Sequence, residues 1–472
     1  MEPRSLEFIA SACQGEIRWG SSETLVTRVC TDSRQIMPGD LFVALAGEKF
    51  DAHDYLVEVA HSGATALLVS RDKIDRTSGI SDAVAMVVVD DTRVALGQLA
   101  ARYRADFNIP VVAVGGSNGK TTTKDLLASV LRQKGEILWS EASFNNDIGV
   151  PLTLLKLERK HVAAVIEVGT NHPGELLPLL KIVQPGHGIL TNIGREHLEF
   201  FGDLAGVVTE EGCLAECLQP PGKLFINGDG EWTPAIVQRT KAGVVKVGFG
   251  AANEWRAKNI QVGEDGVRFE VESPRSEFNG EYRLRILGRH QVSNALLALA
   301  AGMELGATPD QARRGLAECA PPKMRLQFWE ANGVHVLDDT YNANADSMLA
   351  ALQTLHDFPC SGRRVAVLGD MAELGKHTAE AHREIGQRSF ELGVNRLVTV
   401  GRFAHETAQA AEAAGLKDVS EFADVPAAAA AVKNLVRPGD VVLLKASRST
   451  GLERVGEALR AASRALDEAF KS

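Results

Sequence analysis

Short, nearly unbroken apolar runs recur along the chain, and the spacing between them changes from zone to zone. Residues 41–45, 66–69 and 85–89 are mostly apolar and are separated by Gly- and Asp-containing turns. Such runs predict buried strands joined by short helices. From about 107 to 320 the pattern predicts a larger α/β unit. It opens with a buried strand over 110–114, a Gly-rich turn, and a helix of good formers from 121 to about 133. Segments 162–168 and 188–191 read as central strands, because their apolar residues run on instead of alternating. Between 255 and 287 the chain breaks into short alternating stretches with Gly and Glu, as an antiparallel excursion does. After Pro321-Pro322, a natural linker, apolar strands at 364–368, 396–400 and 441–444 enclose Ala-rich helices at 404–414 and 425–435. That alternation predicts an open, mainly parallel sheet. The expected fold class is α/β with three domains: a small N-terminal α/β domain (1–106), a central P-loop ATPase-like parallel-sheet domain (107–322) and a C-terminal Rossmann-like α/β domain (323–472).

Composition narrows the function classes. A chain of 472 residues needs more than one ordinary core. Apolar and charged fractions of 45% and 24% are those of a soluble globular protein. A net charge of -10 argues against a basic nucleic-acid groove, so no nucleic-acid partner is expected. No apolar run reaches the roughly 18 residues of a membrane span. The opening residues lack the apolar stretch of a secretory signal. The six cysteines are scattered, and Cys213 and Cys217, one helical turn apart without a histidine pattern, read as half-buried thiols. A reducing, cytoplasmic setting follows.

The sharpest chemical feature is Val111-Val112-Ala113-Val114-Gly115-Gly116-Ser117-Asn118-Gly119-Lys120-Thr121-Thr122-Thr123. A strand, a Gly-rich turn and a helix N-terminus together make a phosphate cradle of N–H groups and positive helix end. In that motif Lys120 reaches the β and γ phosphates and the Thr121 hydroxyl ligates Mg²⁺. The spacing departs from the usual G-x-x-x-x-G-K-T, because Val114 stands five before Gly119; the turning glycines are taken as Gly115 and Gly116. No Asn-Lys-x-Asp guanine reader follows, which counts against a GTPase.

Downstream lie Glu167 in Ile166-Glu167-Val168-Gly169-Thr170-Asn171, and His197 in Thr191-Asn192-Ile193-Gly194-Arg195-Glu196-His197. Further on come Gly288-Arg289-His290-Gln291-Val292-Ser293-Asn294, Arg325 after the linker, and Asp339-Thr340-Tyr341-Asn342. Gly369-Asp370-Met371-Ala372-Glu373-Leu374-Gly375 and Lys445-Ala446-Ser447-Arg448 complete the series. Over nearly its whole length this series resembles the Mur ligase family. The resemblance implies an ATP- and Mg²⁺-dependent ligase that activates a peptide carboxylate as an acyl phosphate and passes it to an amine. It implies ATP contacts from Gly115, Gly116, Ser117, Asn118, Gly119, Lys120, Thr121, Thr122, Asn294, Arg325, Asp339, Tyr341 and Asn342. Lys120, Glu167, His197 and Arg325 take catalytic roles, and Thr121, Glu167 and His197 hold metal.

The N-terminal stretches Thr31-Asp32-Ser33-Arg34 and Gly47-Glu48-Lys49-Phe50-Asp51-Ala52-His53 are similar to the UDP-binding domain of two family members, those adding the third amino acid and D-alanyl-D-alanine. Ser143-Phe144-Asn145-Asn146-Asp147 and the Gly369–Gly375 run favour the dipeptide-adding member, and no Asp-Asn/Asp-Pro-Arg stretch of the other is present. The implied substrates are UDP-N-acetylmuramoyl-tripeptide and D-alanyl-D-alanine, with Ser33, Arg34, Asn145, Asn146, Asp147, Ser447 and Arg448 as substrate residues, in a monomer. One position departs from the family: where many members carry a carbamylated lysine that bridges a second Mg²⁺, alignment places Glu211, or Glu210 if the register slips. Either supplies a carboxylate without CO₂ from a side chain shorter by on the order of 3–4 Å; a solvent-facing Glu pair is the alternative. Rival readings are a ligase for the third amino acid or for folate glutamates, and a nucleotide-binding regulator without catalysis.

Overall fold

The computed structural model describes residues 1–471, with side chains through 462. By its internal contacts the chain divides into two compact units: residues 1–114, 135–170 and 175–187, and residues 115–134, 171–174 and 188–472.

In the first unit a five-stranded sheet runs in the order Glu16–Trp19, Ala85–Val89, Ala66–Ser70, Asp40–Val43, Arg28–Cys30. The first pairing is antiparallel and the others parallel. Its central strands are covered on both sides, which is why Leu41, Phe42, Val43, Leu67, Leu68 and Val69 are fully buried without alternating. A second group, Val111–Gly115, Ala163–Glu167 and Ile137–Trp139, pairs in parallel. The helix Thr92–Arg104 ties the two groups together through the helices Gly149–Leu154 and Leu176–Val183. Gly97 permits this approach, since a Cβ there would lie 2.9 Å from Ile182 Cδ1. Tyr103, buried, donates to the Leu157 carbonyl at 2.6 Å and accepts from the Glu2 N–H at 2.7 Å.

In the second unit four parallel strands, His187–Leu190, Lys223–Asn227, Gly243–Gly248 and Trp255–Gly263, are extended by Gly266–Glu272 and Gly280–Leu284, both antiparallel. The excursion expected over 255–287 is therefore a three-stranded meander. The helix Lys120–Arg132 packs on Gln291–Glu304 and Pro309–Glu318. A six-stranded sheet follows in the order Gln327–Ala331, Val334–Asp339, Val441–Lys445, Arg364–Gly369, Arg396–Val400, Val419–Phe422. All its pairings but the first are parallel. Apolar clusters cover both of its faces, one around Leu337, Leu352 and Phe358, the other around Val336, Val367 and Val455. The carboxyl ends of neighbouring strands, Asp339 and Lys445, fall side by side. Among the described residues no helix is long and apolar enough to cross a membrane.

Candidate active site

The turn after Val111–Gly115 bends at Gly116 (φ +107°) and Gly119 (φ +84°), which differs from the expected pair Gly115 and Gly116. Gly115 still belongs to the strand, and its carbonyl accepts from the Thr191 N–H at 3.1 Å. Close approach explains the true pair as well as φ does. A Cβ on Gly116 would lie 2.8 Å from the Asn192 carbonyl, and one on Gly119 would lie 2.6 Å from Asn294 Oδ1.

Three N–H groups of the turn are held by the protein itself. Gly116 donates to Glu211 Oε2 at 2.7 Å, Ser117 to the Asn192 carbonyl at 2.9 Å, and Asn118 to Asn192 Oδ1 at 2.8 Å. Ser117 Oγ accepts from the Gly194 N–H at 2.8 Å. These bonds shape the loop, and the helix Lys120–Arg132 turns its positive N-terminal end to it. Lys120 Nζ lies over the loop, 2.5 Å from the Gly116 carbonyl, 3.1 Å from that of Ser117 and 3.5 Å from Glu196 Oε2. Thr121 and Thr122 are buried in the first helical turn.

Glu196 was not singled out by the sequence reading. It is 6% exposed and faces Lys120, and its only sequence signal is its place beside His197. Glu210 and Glu211 are 6% and 1% exposed, so the pair does not face solvent. They diverge: Glu210 Oε2 accepts from the Gly174 N–H at 2.7 Å, whereas Glu211 reaches the phosphate loop. Glu211 Oε1 is buried and has no hydrogen-bond partner. Burial pushes the Glu211 carboxyl up to about 7, against the pull of the Lys120 ammonium.

His197 sits in left-handed backbone (φ +48°) ahead of the short helix Leu198–Phe201. Its Nδ1 lies 2.5 Å from Glu373 Oε2, and its Nε2 lies 3.9 Å from Glu196. Arg195 anchors the same segment to the last zone, bonding Asp346 Oδ1 at 2.8 Å and Glu384 Oε2 at 2.5 Å. Asn344 Nδ2 donates to Asn118 Oδ1 at 3.0 Å.

Asn294 is buried over Gly119 and donates to Gln291 Oε1 at 2.7 Å. Arg325 stacks on Tyr341, with its guanidinium 4.1 Å from the ring centroid. The residues flanking Arg325, Met324 and Leu326, both have positive φ, and the Leu326 N–H donates to Asp339 Oδ1 at 3.1 Å. Asp339 Oδ2 pairs with buried Lys445 at 2.6 Å, and Lys445 also donates to the Asn342 carbonyl. The structure thus brings Arg325, Asp339, Tyr341, Asn342 and Lys445 together. Ser447 is spent internally, donating to the Ala343 carbonyl and accepting from the Ala372 N–H at 2.8 Å. Arg448 is largely exposed, 3.4 Å from Glu453.

In the first unit Glu167 ends its strand, in register with Val114, and accepts from Asn145 Nδ2 at 2.9 Å. Asn146 Oδ1 accepts from the Gly149 N–H at 2.8 Å, and Asp147 pairs with Arg93, so these two have structural partners. Ser33 opens a short helical turn, and Arg34 lies on Asp32, which the Arg34 guanidinium holds at about 2.

Comparison with known proteins follows the same order along the chain. Residues 25–104 match the Mur ligase family catalytic domain, 114–302 the Mur ligase middle domain, and 324–448 the Mur ligase glutamate ligase domain. The UDP-N-acetylmuramoyl-tripeptide--D-alanyl-D-alanine ligase of Escherichia coli (strain K12) is 38% identical over 97% of this chain and 98% of its own length. The crystal structure of MurF from Acinetobacter baumannii superposes with a TM-score of 0.88 at 33% identity, covering 98% of this chain and 99% of that one. MurF ligase from Thermotoga maritima in complex with ADP does so with a TM-score of 0.80 at 28% identity, covering 92% and 97%. On this agreement of sequence, fold and site, the chain belongs to the Mur ligase family.

Proposed function

We propose that this protein joins D-alanyl-D-alanine to UDP-N-acetylmuramoyl-tripeptide at the expense of ATP, giving the UDP-linked pentapeptide precursor of peptidoglycan. The terminal carboxylate of the tripeptide attacks the γ-phosphorus, releasing ADP and forming an acyl phosphate. The dipeptide amine then adds to that carbonyl, and the tetrahedral intermediate expels phosphate as the amide forms. A carboxylate is a poor electrophile toward amines, and phosphorylation turns its oxygen into a stable leaving group. The protein's share is positioning and charge neutralisation.

The observation that carries this reading is the built phosphate loop, its Lys120 aligned over the turn and its glycines closed against Asn192 and Asn294. Lys120 and Arg325 neutralise the transferred phosphoryl group. Asn294 faces adenine, while Asp339, Tyr341 and Asn342 border the ribose.

The residues fit a divalent cation. The buried Glu211 Oε1, on a carboxyl pushed up to about 7 by burial, is an oxygen donor without a hydrogen-bond partner. Among the described residues no group of three or more His, Cys, Asp or Glu side chains forms a cage. That suits Mg²⁺, which takes one or two carboxylates plus phosphate oxygens and water. Thr121, His197 and Glu211 would hold it. Glu167, whose carboxylate accepts from Asn145 Nδ2, is a further candidate ligand. When bound, Mg²⁺ offsets the negative charge of the β- and γ-phosphate oxygens.

Residues 1–106 serve as the UDP-substrate domain with Ser33 and Arg34 as contacts, 107–322 as the ATP domain and 323–472 as the domain receiving the amine. Asn145, Asn146, Asp147, Ser447 and Arg448 border substrate. The protein works in the cytoplasm as a monomer.

Phosphate release is measured with UDP-tripeptide and ATP, with and without D-alanyl-D-alanine, beside a panel offering a third amino acid and folate glutamates. Release that requires the dipeptide supports the reading; none with both substrates present overturns it. Lys120→Ala is expected to slow the reaction by about a thousandfold.

A further inference from the structure

The second unit carries a cleft of about 420 Å³ between the loop 371–379 and the turn 401–403, outside the phosphate loop. We propose that this cleft binds the incoming dipeptide, with Arg402 and Lys376 receiving its terminal carboxylate. This rests on the ligase reading above and adds the place and chemistry of amine recognition.

Charge is the first argument. Arg402 and Lys376 both line the cleft, both are exposed, and neither has a carboxylate partner among the described residues. Elsewhere in the chain most arginines near the surface are paired, as Arg195, Arg363 and Arg396 are. Two unpaired cations in one concave site fit a carboxylate. The same cleft is lined by two acids, Glu199 and Glu373. Cations and acids in one small site suit a zwitterion. Two extended residues reach about 7 Å, a span such a cleft accommodates.

Construction is the second. The turn presenting Arg402 is fixed by Asp370, whose carboxylate accepts the N–H groups of Arg402 and Phe403 at 2.9 and 3.0 Å. Gly401 (φ +115°) is required there, because a Cβ would lie 2.8 Å from Asp370 Oδ1. The anchored turn fixes where the Arg402 side chain leaves the backbone, so the backbone needs no ordering on binding. One motif, Gly369 to Gly375, therefore builds the cleft: Asp370 sets the Arg402 turn, Ala372 is tied to Ser447, and Glu373 reaches His197.

Location and lining complete the case. Glu373, in the lining of the cleft, adjoins His197, and Glu196, next to His197 in sequence, faces Lys120. The proposed pose turns the amine toward Glu199 and Glu373 and leaves the carboxylate with the cations. Ala372, Ala379 and buried Met371 give the cleft a small apolar lining that matches methyl side chains.

The test compares D-alanyl-D-alanine with its C-terminal amide in the phosphate-release assay, for wild type, Arg402→Ala and Lys376→Ala/Arg402→Ala. Wild type is expected to favour the acid strongly. The variants are expected to raise KM for the dipeptide about tenfold to a hundredfold and to lose the preference over the amide, with KM for ATP unmoved. Variants that keep both the wild-type KM for the dipeptide and the preference overturn the proposal alone. A wild type that releases no phosphate with the dipeptide overturns the ligase reading and this proposal together. Both side chains are exposed, and the KM for ATP reports that the fold is intact.

Discussion

His197 and Glu373, 176 residues apart, face each other with 2.5 Å between Nδ1 and Oε2, and both hold left-handed backbone (φ +48° and +60°). Non-glycine residues persist in that region only where their surroundings over-determine them. Here a second bond helps, from the Glu199 N–H to the Glu373 carbonyl at 3.0 Å. A carboxylate on Nδ1 fixes the tautomer and leaves Nε2 with the lone pair that a metal would need, the usual way an outer carboxylate orients a metal-binding imidazole. Glu373→Ala is expected to weaken Mn²⁺ binding about tenfold to a hundredfold, read by electron paramagnetic resonance with a non-hydrolysable ATP analogue. His197→Ala serves as reference. Wild-type affinity in Glu373→Ala alongside a weakened His197→Ala would remove the positioning role.

Glu211 stands on the phosphate loop with one oxygen bonded to Gly116 and the other unpartnered. A carboxylate already in place needs no CO₂, so activity is expected to survive rigorous removal of bicarbonate. Glu211→Ala is expected to raise the Mg²⁺ concentration for half-activity by about tenfold or more. Loss of wild-type activity without bicarbonate, or a normal Mg²⁺ requirement in the variant, would rule out this role.

Gly119 meets Asn294 too closely for any side chain and has φ +84°. Gly119→Ala adds backbone strain and displaces Asn294, and each effect costs about 1 kcal/mol or more. ADP affinity by calorimetry is expected to fall at least tenfold. An unchanged affinity would show that the loop tolerates widening.

His290 reports on the same corner. Burial pushes its imidazole down to about 4, Asp339 opposing and Lys445 reinforcing. With the folded value below the unfolded one of about 6.5, the contribution is present above pH 6.5 and is lost as pH falls toward 4. Wild type is expected to lose on the order of 2 kcal/mol across that window. His290→Asn is expected to flatten the dependence, followed by denaturant melts. Parallel profiles would assign the acid loss to other groups.

Much of the fold was legible because it is written locally. Residues 85–89 and 396–400 are strands as the apolar runs predict, and the helices 404–414 and 425–435 begin and end where expected. The phosphate loop was legible for the same reason, its strand, glycines, lysine and helix lying in one short stretch. Its bending glycines were not, since Gly115 and Gly116 look alike until neighbouring chain closes on them. Asn146 and Asp147 read as substrate residues in their motif; only the structure shows that one also accepts from the Gly149 N–H and the other pairs with Arg93.

What the sequence determined by itself is therefore the α/β class, the strand and helix positions, and a nucleotide-binding loop, all consequences of side-chain periodicity and backbone preference within a few residues. Tertiary structure alone decided which distant polar groups meet. Asp339 finds Lys445 because two parallel strands end in register; Glu211 rather than Glu210 reaches Gly116 because adjacent helical residues point in different directions; Glu196 comes to face Lys120. Such pairings are set by the packing of buried faces, and no local period along the chain encodes them.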